Sequence, residues 1–227
     1  MYWQESKQED NRTIPDDVVD LVFGISCRCL PVDHAYPLAQ AIDAALPWFA
    51  DEPGVGLHTI HVAESGNGWF RPEGPEAVLH PSRRTKLTLR LPKHRIADAE
   101  KLTGQQLDVE GYSITVNKPT PRLLSAITTL FSRYIVSSAT ESEMQFMEHV
   151  MEELKALSIH PKKMLCGIER LIQTPDGAIK TRSLMLADLQ FEESLALQQQ
   201  GLGEHRRMGC GLFIPHKDIN QISEDLG

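Results

Sequence analysis

Residues 201–217, GLGEHRRMGCGLFIPHK, bring together four glycines (Gly201, Gly203, Gly209, Gly211) and five basic or titratable side chains (His205, Arg206, Arg207, His216, Lys217). Glycine reaches positive φ and lets backbone N–H groups come close to a ligand. Such a loop can cradle phosphate oxygens, and paired arginines add charge-assisted hydrogen bonds. The spacing is not that of a Walker A loop, G-x-x-x-x-G-K-[ST], nor of a strand-to-helix dinucleotide fingerprint. A flexible connection with solvated charges has the same composition.

A second set of cations is Arg83, Arg84 and Lys86, continuing to Arg90. Residues 85–91, TKLTLRL, alternate: Leu87, Leu89 and Leu91 fall on one strand face, Lys86, Thr88 and Arg90 on the other. A basic strand can track an RNA backbone or enter a duplex groove. Basic residues also keep an exposed sheet edge from pairing. His160, Lys162 and Lys163, with Arg170, Lys180 and Arg182 on the next hairpin, form a third set open to the same two readings.

His34 precedes an apolar helix pattern. Imidazole titrates near neutrality, which suits removal of a proton from a ribose 2′-hydroxyl. The positive end of a helix disfavours imidazolium and keeps the ring available as a base. Capping the helix is the other use of a histidine there. Tyr36 could position a phosphate or donate a proton, or simply pack. His58 and His61 are three apart, so on one strand they would point to opposite faces and at most one could face a site. Cys27 and Cys29 make a C-x-C, with Cys166 and Cys210 remote. The C-x-x-C spacing of zinc sites is missing, and buried thiols are the better reading. No metal and no cofactor are expected.

These residues need elements to hold them. Strand patterns cover residues 18–28, 57–64, 85–91 and 107–116, with helices at about 34–49 and 93–102. Asp33 is a candidate N-cap. The order recurs downstream. A strand covers 126–137, and a helix opens on the capping box Thr140-x-x-Glu143, with Met144, Met147, Val150, Met151, Leu154 and Leu157 as its apolar stripe. Strands at 164–173 and 179–186 flank a Thr174-Pro175-Asp176-Gly177 turn, before a helix at 191–200 and a strand at 212–215. The fold class is therefore α+β: two tandem ferredoxin-like, RRM-like units, each β-α-β-β-α-β. The expected boundaries are an acidic tail (1–17), a first unit (18–118), a joint near 119–124, a second unit (125–217) with its Gly-rich loop at 201–211, and an acidic tail (218–227).

The 227 residues are 41% hydrophobic and 24% charged, the balance of a soluble globular chain and not of a disordered or membrane one. The start is polar and acidic, unlike a signal peptide, so a cytoplasmic location is expected. The net charge of −8 would oppose nucleic-acid binding, but the acid is concentrated at the ends. Without residues 1–20 and 218–227 the body holds 21 basic against 22 acidic residues, which leaves room for a basic face.

The Gly-rich stretch at the end of a tandem ferredoxin-like chain resembles the signature loop of the CRISPR repeat-processing endoribonucleases, the Cas-six family. LPVDHAYPLAQAIDAALPW, LHPSRRTKLTLRLP and SLMLADLQFEESLALQQQGLG are similar to that family as well. The resemblance extends over nearly all of residues 18–217. It implies metal-independent cleavage of precursor CRISPR RNA within each repeat, by 2′-hydroxyl attack, to give guide RNA. It implies His34 as the general base, at the family's histidine near the first helix. CRISPR repeat RNA is the implied partner, with other subunits of an interference complex. Arg206, Arg207, His216, Lys217 and the loop glycines would bind RNA, and Arg83, Arg84, Lys86 and Arg90 would hold its stem. Neither TKLTLRLP nor TRSLMLADL shows the aromatic motif with which RRM sheets stack bases, so reading of backbone and shape is expected. A non-catalytic repeat-binding subunit and a ferredoxin-like small-molecule sensor are the rival functions.

Overall fold

The protein is described from a computed structural model covering residues 13–62, 72, 74 and 77–216. In β1 (Val18–Ser26), Val19, Leu21, Phe23 and Ile25 alternate with less buried residues and point into a core. A short strand, β2 (Leu30–Pro31), leads to α1 (Ala35–Ala45), which buries Ala35, Leu38, Ala39 and Ile42 at helical spacing. Then come β3 (Gly56–His58), β4 (Val78–Leu79, paired to β2) and β5 (Lys86–Pro92). One turn of helix, α2 (Ile96–Ala99), precedes the hairpin β6 (Gln106–Val109) and β7 (Tyr112–Leu123). The five-stranded sheet has the order β3-β5-β1-β7-β6, antiparallel throughout.

The second half repeats the plan with β8 (Leu130–Val136), α3 (Glu143–Ala156), β9 (Lys163–Thr174), β10 (Gly177–Ala187), α4 (Phe191–Gln200) and β11 (Ile214–Pro215). Its sheet runs β11-β8-β10-β9. In each half the first and third strands of the β-α-β-β-α-β unit lie in the middle. That is the tandem ferredoxin-like fold expected, with one strand, β6, added at the edge of the first sheet beside β7. Each half has its own apolar core, one around Phe23, Leu38 and Leu89 and the other around Phe146, Leu184 and Phe213.

Several local expectations change. The joint expected near 119–124 is largely strand, because β7 continues to Leu123 and pairs Pro119 with Phe23 and Pro121 with Leu21. Prolines are tolerated there because β6 pairs only as far as Thr115 and leaves that edge of β7 open. The capping box of α3 is Ser142 with Gln145, not Thr140 with Glu143. Gln145 N–H donates to Ser142 Oγ at 3.3 Å, and Ser142 N–H donates back to Gln145 Oε1 at 3.0 Å. Phe146, Val150 and Leu154 form the buried face of α3, whereas Met144 is 71% exposed and Met151 44%. Asp33 does not cap α1, since its carboxylate accepts Gln173 N–H of β9 at 2.8 Å.

Candidate nucleic-acid interface

Arg90 sits on β5 opposite Asp20 of β1, on the face turned away from the first core. Its guanidinium is 1% exposed. Nε and one terminal nitrogen donate to the two Asp20 carboxylate oxygens at 2.8 and 2.9 Å. The other terminal nitrogen donates to the carbonyls of Gln198 (2.8 Å) and Phe213 (2.9 Å) in the second half. Arg90 is thus an internal bolt between the halves, which corrects its expected role as an RNA ligand. Alternation placed it on the polar face, and the second half covers that face. Burial alone would raise the Asp20 carboxyl, but Arg90 and His58 beside it hold it far below the usual carboxylate range. His58 lies 3.6 Å from Asp20, and burial pushes its imidazole down despite that partner.

The Gly-rich loop is also a weld. Arg206 donates to the carbonyls of Val55 (3.1 Å), Gly54 (3.0 Å), Gln199 (3.0 Å) and Gln200. It ties the unsatisfied C-terminal carbonyls of α4 to the turn before β3. Burial lowers its pKa to about 10, so it stays charged at neutral pH. Arg207 pairs with Asp43 of α1. A Cβ on Gly211 (φ +66°) would strike the carbonyl of Leu202, and one on Gly201 (φ +71°) would strike Arg206. A Cβ on Gly209 would lie 2.8 Å from Thr59 Cγ2. Gly211 N–H donates to Tyr134 O at 2.7 Å. These glycines admit neighbouring protein, so the phosphate-cradle reading of Gly201, Arg206, Gly209 and Gly211 is corrected. Around Gly203 a Cβ would meet only Glu153, at 3.9 Å. His216 is exposed, and Lys217 lies outside the described residues.

His34 is 1% exposed. Its Nδ1 lies 2.8 Å from Pro31 O and 3.1 Å from Val32 O, and its Nε2 accepts Ile60 N–H at 2.9 Å. These partners assign the proton to Nδ1 and the lone pair to Nε2. The ring pins the entry to α1 against the chain after β3. It also forms part of a cleft of about 580 Å³ with Thr59, Tyr134 and Arg170. Tyr36 lines a different cleft of about 360 Å³, with Gln40, Asp43, His205 and Arg207. The two catalytic candidates therefore do not share a site.

Another group of basic side chains converges elsewhere. Arg84 and Lys86 of the β5 entry, Arg122 of β7, Arg133 of β8 and His61 line a cleft of about 450 Å³ between the two sheets. Arg83 is exposed in the turn beside it. The sequence reading missed Arg122 and Arg133. Each is a single arginine in its strand, and only the register Asp20↔Arg122 and the approach of the second sheet reveal them. His58 and His61 both line this cleft because the strand ends at His58 and alternation stops there. Thr59 borders this cleft and the His34 cleft alike.

All four cysteines are free, and burial raises the Cys210 thiol to about 12. Among the described residues no group of three or more His, Cys, Asp or Glu side chains could hold a metal ion, and no helix is long and apolar enough to cross a membrane.

The chain is 27% identical over 197 residues to the CRISPR-associated endonuclease Cas6 of Myxococcus xanthus, covering 87% of this chain and 81% of that protein. Among solved structures, a CRISPR-associated protein Cas6 superposes with a TM-score of 0.58 at 11% identity, over 88% of this chain and 99% of the other. The CRISPR endoribonuclease Cse3 bound to a 19-nucleotide RNA superposes at 0.51 with 14% identity, over 88% and 98%. The family model described as Cas6 Crispr matches residues 19–218, almost the whole of both ferredoxin-like units, and the chain belongs to the Cas6 family.

Proposed function

We propose that this protein is an endoribonuclease that cuts CRISPR repeat RNA by attack of a 2′-hydroxyl on the adjacent phosphate, without a metal ion. The observation that carries this reading is the cleft in which Arg84, Lys86, Arg122 and Arg133 face one space between the sheets. A chain with net charge −8 gathers cations there from three strands, as a polyanion would require. The Myxococcus relative is named an endonuclease, and the superposed Cse3 is bound to RNA, which supports endonuclease activity and an RNA ligand here.

In the proposed step a base removes the 2′-hydroxyl proton and O2′ bonds to phosphorus. The bond from phosphorus to the 5′-oxygen breaks, and that oxygen takes up a proton. The products are a 2′,3′-cyclic phosphate and a 5′-hydroxyl. Cations around the phosphate stabilise the charge that builds up on its oxygens. His34 is the assigned base: Nδ1–H held by Pro31 O leaves the lone pair on Nε2, the tautomer a base needs. Its bond from Ile60 N–H must open first. Leaving that buried donor unpaired costs about 1–3 kcal/mol unless RNA replaces the partner. One observation favours His61 as the base instead: it is exposed and already stands among the cleft cations.

The test is cleavage of end-labelled repeat RNA from the protein's own array in excess EDTA, with a 2′-deoxy substitution at the cut site as control. Cleavage by the wild type that vanishes with the deoxy substrate supports the mechanism. Loss of cutting in His34→Ala, with RNA binding kept, assigns His34. Loss in His61→Ala alone moves the base to His61. Tight binding without cleavage by the wild type would make the protein a repeat-binding subunit.

A further inference from the structure

The second sheet packs α3 and α4 on one face through Leu130, Leu184, Leu186 and Phe213. The residues between these point to the opposite face. There the register aligns Ile214 of β11 with Phe131 of β8, Phe131 with Met185 of β10, and Met185 with Leu165 of β9. The result is an apolar row crossing all four strands. Phe131 in its middle is half-buried, and Leu165 at its end is 63% exposed.

Arg133 and His216 border the row. The Arg133 guanidinium lies 5.8 Å from the Phe131 ring centroid, and the His216 ring lies 6.0 Å from it at 59°. Arg133 and Ile214 also line the cationic cleft, so cleft and row share a border. We propose that the row centred on Phe131 is a stacking platform for an unpaired RNA base, whose flanking phosphates lie on Arg133 and the cleft cations; this rests on the RNA-binding reading above.

An aromatic face beside a cationic track is how single strands are held without a sequence code, because every base offers a π-face. A duplex keeps its base faces stacked and has nothing to offer Phe131. Continuity with the cleft selects RNA over a protein partner for this apolar surface. The aromatic sits on the first strand of the second unit, outside both segments whose sequence lacks a base-stacking motif.

The test is fluorescence anisotropy of the full chain with two labelled 12-mers of equal charge, oligo-rA and the same ribose-phosphate backbone without bases. The wild type should bind oligo-rA at least about five-fold more tightly than the abasic strand, the loss that removal of one stacked base produces. Phe131→Ala and Phe131→Leu should abolish that gap and leave abasic binding unchanged, and Phe131→Tyr should keep it. Leucine preserves the bulk and aliphatic packing, so a folding defect in the alanine variant would not obscure the result. Equal binding of both strands by the wild type, or wild-type discrimination in Phe131→Leu, overturns the platform and leaves the RNA-binding cleft standing. Failure of the wild type to bind either strand or repeat RNA overturns both.

Discussion

Arg90 and Gln198 lie 108 positions apart in sequence, yet the Arg90 guanidinium donates to the Gln198 carbonyl at 2.8 Å. The same nitrogen reaches Phe213 O, and the rest of the fork holds both oxygens of Asp20. One side chain thus ties a strand of the first sheet to the last helix and the closing strand region of the second.

Arg90→Met should destabilise the protein by about 3–5 kcal/mol, since it strands the Asp20 carboxylate in a covered site and leaves two carbonyls unpaired. Chemical denaturation would show the loss as a lower midpoint. Binding of RNA at a temperature where the variant is folded should fall far less than stability does. A variant as stable as wild type would contradict the bolt.

Stability should fall in two stages on acidification. The folded His58 titrates below its ordinary 6.5, so the unfolded chain takes up that proton first, and stability declines as pH drops below 6.5. Asp20 is held below its ordinary 3.8, so its contribution is complete above that value and fades as pH drops further. Urea midpoints from pH 7 to 3 would trace both stages. His58→Gln should flatten the first stage and weaken the second only in part, because Arg90 still holds Asp20 down.

The loop glycines should separate by their neighbours. Gly211→Ala drives a methyl into Leu202 O at positive φ, and a loss of several kcal/mol is expected. Gly203→Ala meets only Glu153, at ordinary contact distance, and should show only the strain of the left-handed backbone, about 1–2 kcal/mol. Thermal melts of the two variants decide it. If the loop were chiefly a phosphate cradle, both would lose RNA affinity with melting temperatures near wild type.

Arg84→Ala, Lys86→Ala and Arg122→Ala should each weaken RNA binding and lower the slope of log affinity against log salt by about one. Their thermal stability should stay close to wild type, because all three side chains are exposed. Arg206→Ala should behave oppositely, with stability falling because four carbonyls lose their donor. Titrations at several salt concentrations, paired with melts, distinguish the two classes.

Much of the fold was legible in the sequence because it rests on local periodicity. Leu87, Leu89 and Leu91 alternate, and all three are fully buried. Leu38, Ala39 and Ile42 repeat at helical spacing and face the core. The β-α-β-β-α-β order, read twice, is enough to select a tandem ferredoxin-like chain. The acidic ends and near-neutral body were equally open to counting, as was the resemblance to the family.

Only the tertiary structure decided what the polar residues do. Alternation shows that Arg90 leaves the first core, but not that the second half waits on the other side. Composition shows four glycines and two arginines in one loop, and cannot tell a ligand from the carbonyls of Gly54 and Val55 across the molecule. Arg122, Arg133 and Phe131 are unremarkable in sequence and gain meaning from register and from the meeting of two sheets. The reason is physical. Periodicity records which side of an element is apolar, whereas a charged or aromatic side chain takes its role from whatever long-range packing sets against it.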